Sequence, residues 1–247
     1  MPLVHCHDLN GITWEEAAES ALTLPEGVDI WRIPLDFGPD HADLLQSFLT
    51  TEERNKVFRY VHREDQLRAL ISRGMLRYLT GKYLDQPPAL FQLELGNNKK
   101  PYLRHTGPAS LHFNISHSGN WVLLAFARLE LGVDVEEIQE NFNYTEILPL
   151  SFSQQEASEI QQHPDPRPFF YRLWTRKESL TKATAKGLDN AIPSIPSLNG
   201  THTVPAAVIG SGLDWTVSSF GMRDAYQCSL AHPSSLTGLR FRHLAVL

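Results

Sequence analysis

Only two cysteines, Cys6 and Cys228, occur in 247 residues. One pair is too few for a disulfide framework or a four-cysteine zinc site. Long apolar runs are also missing. The longest, Trp121 to Ala127, falls far short of the roughly 20 residues a membrane-spanning helix needs. The first thirty residues carry Glu15, Glu16, Glu19 and Glu26 and no apolar stretch behind a basic start, so no secretory signal is legible. A basic excess is lacking too. The 22 Lys and Arg against 28 Asp and Glu give a net charge of -6, which argues against a general nucleic-acid binder. These absences leave a cytoplasmic enzyme or binding protein with no membrane and no nucleic-acid partner. With 42% apolar and 20% charged residues, the chain has enough core for one large domain or two small ones.

Val28 to Ile33 alternates as a strand with one buried face. Thr50-Thr51-Glu52-Glu53 forms a capping box, and Leu67, Leu70, Ile71, Met75, Leu79 and Tyr83 recur at helical spacing between Asp65 and Leu84. Turn residues from Asn97 to Pro101 precede an alternating strand at Phe113 to Ser116 and the fully apolar Trp121 to Ala127. The second part opens similarly, with Gly132-Val133-Asp134-Val135-Glu136 as a strand, Ser153 to Glu156 as another capping box, and a helix from Phe169 to Ala185 ending at Gly187. Strand, capped helix and long helix thus recur at comparable offsets, which points to internal duplication. Ile192 to Ser197 reads as a loop, while Trp215 to Phe220, Tyr226 to Ala231 and Leu239 to Val246 read as strands. His5-Cys6-His7-Asp8 reads as a frayed tail rather than a metal site.

Asp134 and Glu136 leave one face of their strand, and Val133 and Val135 leave the other. Adjacent carboxylates repel unless a cation or proton lies between them, and oxygen ligands suit magnesium. The pair also fits a solvated strand face. Gly132 permits close approach of another segment. Glu178 and Lys182 are four apart on a helix, which suits a surface ion pair, or a third metal ligand or base beside a lysine that neutralises phosphate. A Ser-His hydrolase dyad at Ser116 and His117 is disfavoured, because neighbours on a strand point to opposite faces and no nucleophile elbow is present. The turn there instead offers donors to a phosphate oxygen. Eight basic residues between Thr50 and Lys82 stand against four acids, fitting an anionic ligand or partner or a solvated helix face.

Four segments occur in order: Lys100-Pro101-Tyr102-Leu103, Phe113-Asn114-Ile115-Ser116-His117-Ser118-Gly119, Gly132-Val133-Asp134-Val135-Glu136, and Trp174-Thr175-Arg176-Lys177-Glu178-Ser179-Leu180-Thr181-Lys182. Together they resemble the surfactin-synthetase-activating type of phosphopantetheinyl transferase, whose signatures are (I/V)-G-(I/V)-D-(I/V)-E and W-x-x-K-E-(S/A)-x-x-K. Only Leu131 departs from them. The resemblance implies an α+β fold, a pseudo-dimer of two similar halves at 1–131 and 132–247, with coenzyme A in the cleft between them. It implies magnesium held by Asp134, Glu136 and Glu178, with Glu178 also the base and Lys182 stabilising pyrophosphate charge. Ser116 and His117 would meet coenzyme A phosphate, and Lys56 and Lys100 its adenosine 3′-phosphate. In the first half Trp31 stands where a second carboxylate would be, so only the second half would bind metal. The product would be a monomeric enzyme that loads a phosphopantetheine arm onto a serine of an acyl or peptidyl carrier protein, with 3′,5′-ADP leaving. Lys99 departs from the family's glycine and Glu53 from a basic residue. The alternatives are a magnesium-dependent phosphoesterase and a non-catalytic carrier-binding module; the latter would be expected to have lost one of Asp134, Glu136, Glu178 or Lys182.

Overall fold

The computed structural model describes residues 1–17, 22–104, 110–187, 189–223 and 225–244. Strands β1 (Leu3–Asp8), β2 (Glu15–Ala17) and β3 (Val28–Pro34) lead into helices α1 (Phe37–Phe48), α2 (Thr51–Val57) and α3 (Arg63–Leu84). A small hairpin, β4 (Leu93–Leu95) and β5 (Pro101–Leu103), precedes the longer hairpin β6 (His112–Ser118) and β7 (Trp121–Ala127). Next come β8 (Gly132–Glu137), α4 (Leu148–Ser151), α5 (Gln154–Gln162), α6 (Pro166–Thr184), β9 (Gly200–Thr203) and α7 (Ala206–Ile209). The chain closes through β10 (Trp215–Met222), β11 (Tyr226–Pro233) and β12 (Leu239–Leu244). The end of the expected strand at Val246 lies outside the described residues. Among those described, no helix is long and apolar enough to cross a membrane.

The strands form two five-stranded sheets, ordered β2-β12-β3-β7-β6 and β8-β11-β10-β1-β9. Each contains the same three-strand unit. A first strand leaves through helices, and an antiparallel hairpin returns so that its second strand pairs with the first, giving β3-β7-β6 and β8-β11-β10. The repeat expected from the sequence is therefore present as topology.

Val28, Ile30, Leu123 and Ala125 of one sheet share a core with Val133, Val135, Cys228 and Leu230 of the other. The opposite faces are covered by helices. Trp31, Ile33, Leu124 and Phe126 pack with Leu45, Ile71, Met75 and Leu79, while Val4, Cys6, Trp215 and Val217 pack with Leu180 and Ala183. β7 is buried on both faces, which is why its sequence is apolar without alternation.

Both capping boxes form as expected, at Thr50/Glu53 and at Ser153/Glu156. Each glutamate does a second thing. Glu53 accepts from Arg77 Nε of α3 at 2.6 Å, and Arg77 also donates to the Pro88 carbonyl at 2.7 Å. Glu156 accepts from Lys177 Nζ of α6 at 2.9 Å, and Lys177 donates to the carbonyls of Ile192 and Ile195. In both halves a buried cation thus ties the short capped helix to the loop after the long one.

The N-terminal segment corrects the reading of a frayed tail. Val4 and Cys6 are buried, and β1 pairs in parallel with β10. Asp8 accepts from Arg172 at 3.0 Å and Arg176 at 2.9 Å. Two buried apolar side chains in a polar stretch are held here by pairing on both sides, with β10 and with β9.

Candidate active site

Glycine at position 132 sets the approach of α6 to β8. A Cβ there would lie 2.0 Å from the Ser179 carbonyl oxygen and 2.4 Å from Ala183 N, both backbone atoms. This close crossing carries the side chains of α6 over Asp134. Lys182 Nζ donates to Asp134 Oδ1 at 2.6 Å and to Ser116 Oγ at 3.1 Å. Ser116 in turn donates to Asp134 Oδ1 at 2.8 Å. Glu136 accepts from Ser118 Oγ at 3.0 Å.

A cavity of about 870 Å³ opens beside these groups. Ser116, His117, Asp134, Glu136, Glu178 and Lys182 line it, and so do Lys56 of α2, Tyr60 of the link that follows it, and Ser72 and Arg73 of α3. Burial, then the negative charge of Asp134, pushes Glu136 up to about 7. The same two causes push Glu178 up to about 7. Burial opposes the charge on Lys182, but Asp134, Glu178 and Glu136 outweigh it and hold the ammonium above its ordinary range. His117, near the end of β6, is held below its ordinary range by desolvation and by the Lys182 charge.

The donor set fits a hard divalent cation. Asp134 is 2% exposed and its Oδ2 has no hydrogen-bond partner among the described residues. Three carboxylates share one cavity, and two of them are driven toward protonation by burial and the Asp134 charge. A cation would relieve both conditions. As they stand, no three His, Cys, Asp or Glu side chains among the described residues are grouped as a metal centre. It is the Lys182 ammonium that neutralises Asp134.

Most of the residues singled out from the sequence meet in this cavity. Lys100 does not line it. Its ammonium donates to Glu130 Oε2 at 2.5 Å, Ala183 O at 2.8 Å and Leu131 O at 3.2 Å. A cation is favoured at the carbonyl end of a helix, and Asn98 Nδ2 caps the same end through Ala185 O at 2.8 Å. Lys56 lines the cavity but pairs with Glu52 at 2.8 Å. Glu53, the departure noted in the sequence, is absorbed by its capping box and Arg77.

Sequence reasoning did not single out Arg73 and Ser72. Arg73 reaches Glu53 only at 3.7 Å, and Ser72 Oγ is buried without a partner among the described residues. Both are adjacent positions on α3 within the basic stretch, but only the packing of α3 shows which of its cations face the cleft.

Residues 38–128 match the family described as 4'-phosphopantetheinyl transferase, N-terminal, and residues 130–231 match the 4'-phosphopantetheinyl transferase superfamily. The chain is 34% identical over 165 residues to a 4'-phosphopantetheinyl transferase of Bacillus subtilis, covering 65% of this chain and 70% of the relative. It is 30% identical over 181 residues to the 4'-phosphopantetheinyl transferase HetI of Nostoc sp., covering 71% and 76%. It is 32% identical over 157 residues to the 4'-phosphopantetheinyl transferase Sfp of Bacillus subtilis strain 168, covering 63% and 68%. With its cleft chemistry and these relatives together, the chain belongs to the 4'-phosphopantetheinyl transferase family.

Proposed function

We propose that this chain, as a cytoplasmic monomer, moves the 4'-phosphopantetheine arm of coenzyme A to a serine of an acyl or peptidyl carrier protein. The observation that carries this reading is the joining of three carboxylates, a lysine and a histidine in one cleft, in a chain of this family. The serine oxygen attacks the phosphorus bonded to the pantetheine oxygen. The bond to the leaving 3′,5′-ADP breaks, and the serine proton passes to a carboxylate.

Glu178 suits the acceptor role. A positioned carboxylate can accept the serine proton as the new bond forms, and Glu178 lines the cleft with Asp134, Glu136 and Lys182. Lys182 offers preorganised positive charge to the oxygens that gain charge as the bond breaks. Asp134, Glu136 and Glu178 would hold magnesium, which when bound supplies Lewis-acid stabilisation of phosphoryl oxygens. Ser116 is buried and committed to Asp134, Lys182 and the Val135 N–H, so it orients these groups, while exposed His117 can donate to a phosphate. Arg73, Ser72 and Lys56 suit the anionic adenosine end better than Lys100 does.

Intact-mass measurement of apo carriers incubated with coenzyme A and magnesium tests the proposal. The expected result is a carrier heavier by one phosphopantetheine arm. Hydrolysis of coenzyme A with every carrier unchanged would instead support a phosphoesterase and overturn it.

A further inference from the structure

β6 and β8 run along the seam between the two sheets, yet they belong to different sheets and no strand pairing joins them. In an extended strand, alternate backbone N–H groups point to opposite sides. On β8 one set serves the pairing with β11, and the N–H groups of Val133, Val135 and Glu137 would face an open edge. They are met by side chains. Val133 N donates to Asn114 Oδ1 at 2.9 Å, Val135 N to Ser116 Oγ at 3.3 Å, and Glu137 N to Ser118 Oγ at 3.1 Å. Three side chains from alternate positions on β6 thus stand in for a neighbouring strand.

The two serines add something asparagine does not. A hydroxyl accepts and donates at once. Ser116 donates a hydrogen bond to Asp134 Oδ1 at 2.8 Å, and Ser118 donates one to Glu136 Oε2 at 3.0 Å. The turn after Ser118 is itself pinned. Arg68 Nε donates to Gly119 O at 3.0 Å, and Asn120 N donates to Tyr226 Oη at 3.1 Å. Tyr226 Oη donates onward to Glu137 at 3.0 Å. Ser118 does not line the cavity, so whatever it does for the reaction passes through Glu136.

We infer that Ser118 is a positioning residue for the transfer: one hydroxyl fixes both the register of the two sheet edges and the orientation of the Glu136 carboxylate toward the cleft. This rests on the function proposed above. Partners that orient a cation's ligands without touching the cation are worth about 10- to 100-fold in affinity or activity. The test compares the full chain with Ser118→Ala and Ser118→Thr, the second of which keeps the hydroxyl. Manganese binding is followed by electron paramagnetic resonance, and kcat and the KM for coenzyme A are measured in carrier labelling. The expected result for Ser118→Ala is about tenfold weaker manganese binding and about tenfold lower kcat, at a KM changed less than about twofold, with both losses restored in Ser118→Thr. Unchanged manganese affinity and kcat in Ser118→Ala overturns the inference, as does a threonine variant impaired as badly as alanine. A wild-type chain that loads no carrier overturns the functional reading instead. The manganese comparison then still decides whether Ser118 holds Glu136.

Discussion

Removing the carboxylate of Asp134 has two opposed effects. It strips Lys182 and Ser116 of their acceptor, and it relieves the repulsion that Glu136 and Glu178 feel. Asp134→Ala is expected to abolish carrier loading while leaving the melting temperature and circular dichroism near those of the wild type; near-normal loading would refute the metal assignment. The raised acids also give a pH prediction. Glu178 in the unfolded chain loses its proton near 4.5, but in the fold it keeps it until about 7. Between those values the folded state binds more protons, so the contribution of this group to stability falls as pH rises through the window and is level above it. In chelator, Glu178→Gln should therefore gain thermal stability relative to the wild type from pH 5 to pH 7.5; a constant difference would count against the assignment. These residues could be singled out in the sequence because they fall inside the family's two signatures; their spacing alone fitted a solvated strand face and a surface ion pair equally well. The place of Lys100 could not be read, since the helix end that binds it is 83 residues away.

At the scale of elements, the approach of α6 to β8 is the feature most exposed to a single change. Because the atoms facing Gly132 are backbone, nothing flexible can yield to a new methyl group, and α6 must shift. Gly132→Ala is expected to cost on the order of 1–3 kcal/mol by overpacking and to lower kcat by parting Lys182 from Asp134. Urea unfolding and carrier labelling measure the two effects. Both capping boxes could be read from four consecutive residues. Their second use could not, because Arg77 and Lys177 lie 24 and 21 residues further on. α1 escaped the reading, its Gly38-Pro39 opening resembling a turn.

Across the whole molecule, the Asp29 site is the first half's answer to the cleft. Asp29 is 0% exposed, and where the second half presents acids it is closed off by protein groups. Tyr83 Oη donates to it at 2.5 Å and Arg240 Nε at 2.6 Å, with Arg242 Nε 3.4 Å away and Trp31 donating to Tyr83 at 2.9 Å. Both arginines come from β12. Replacing both with alanine leaves a buried charge with the Tyr83 hydroxyl but no cation beside it, an expected loss of about 3–5 kcal/mol in urea unfolding. Adding Asp29→Asn should recover part of it. The sequence showed that Trp31 removes a second carboxylate here but not that arginines more than 200 residues away neutralise the first.

The two ends of the chain are exchanged between the sheets: β1 lies beside β10, and β12 lies beside β3. Each end therefore laces the half it does not begin or finish in. A cut in the short link between β7 and β8 should give two pieces that are each missing a strand, insoluble or unfolded alone and able to regain carrier loading only when refolded together.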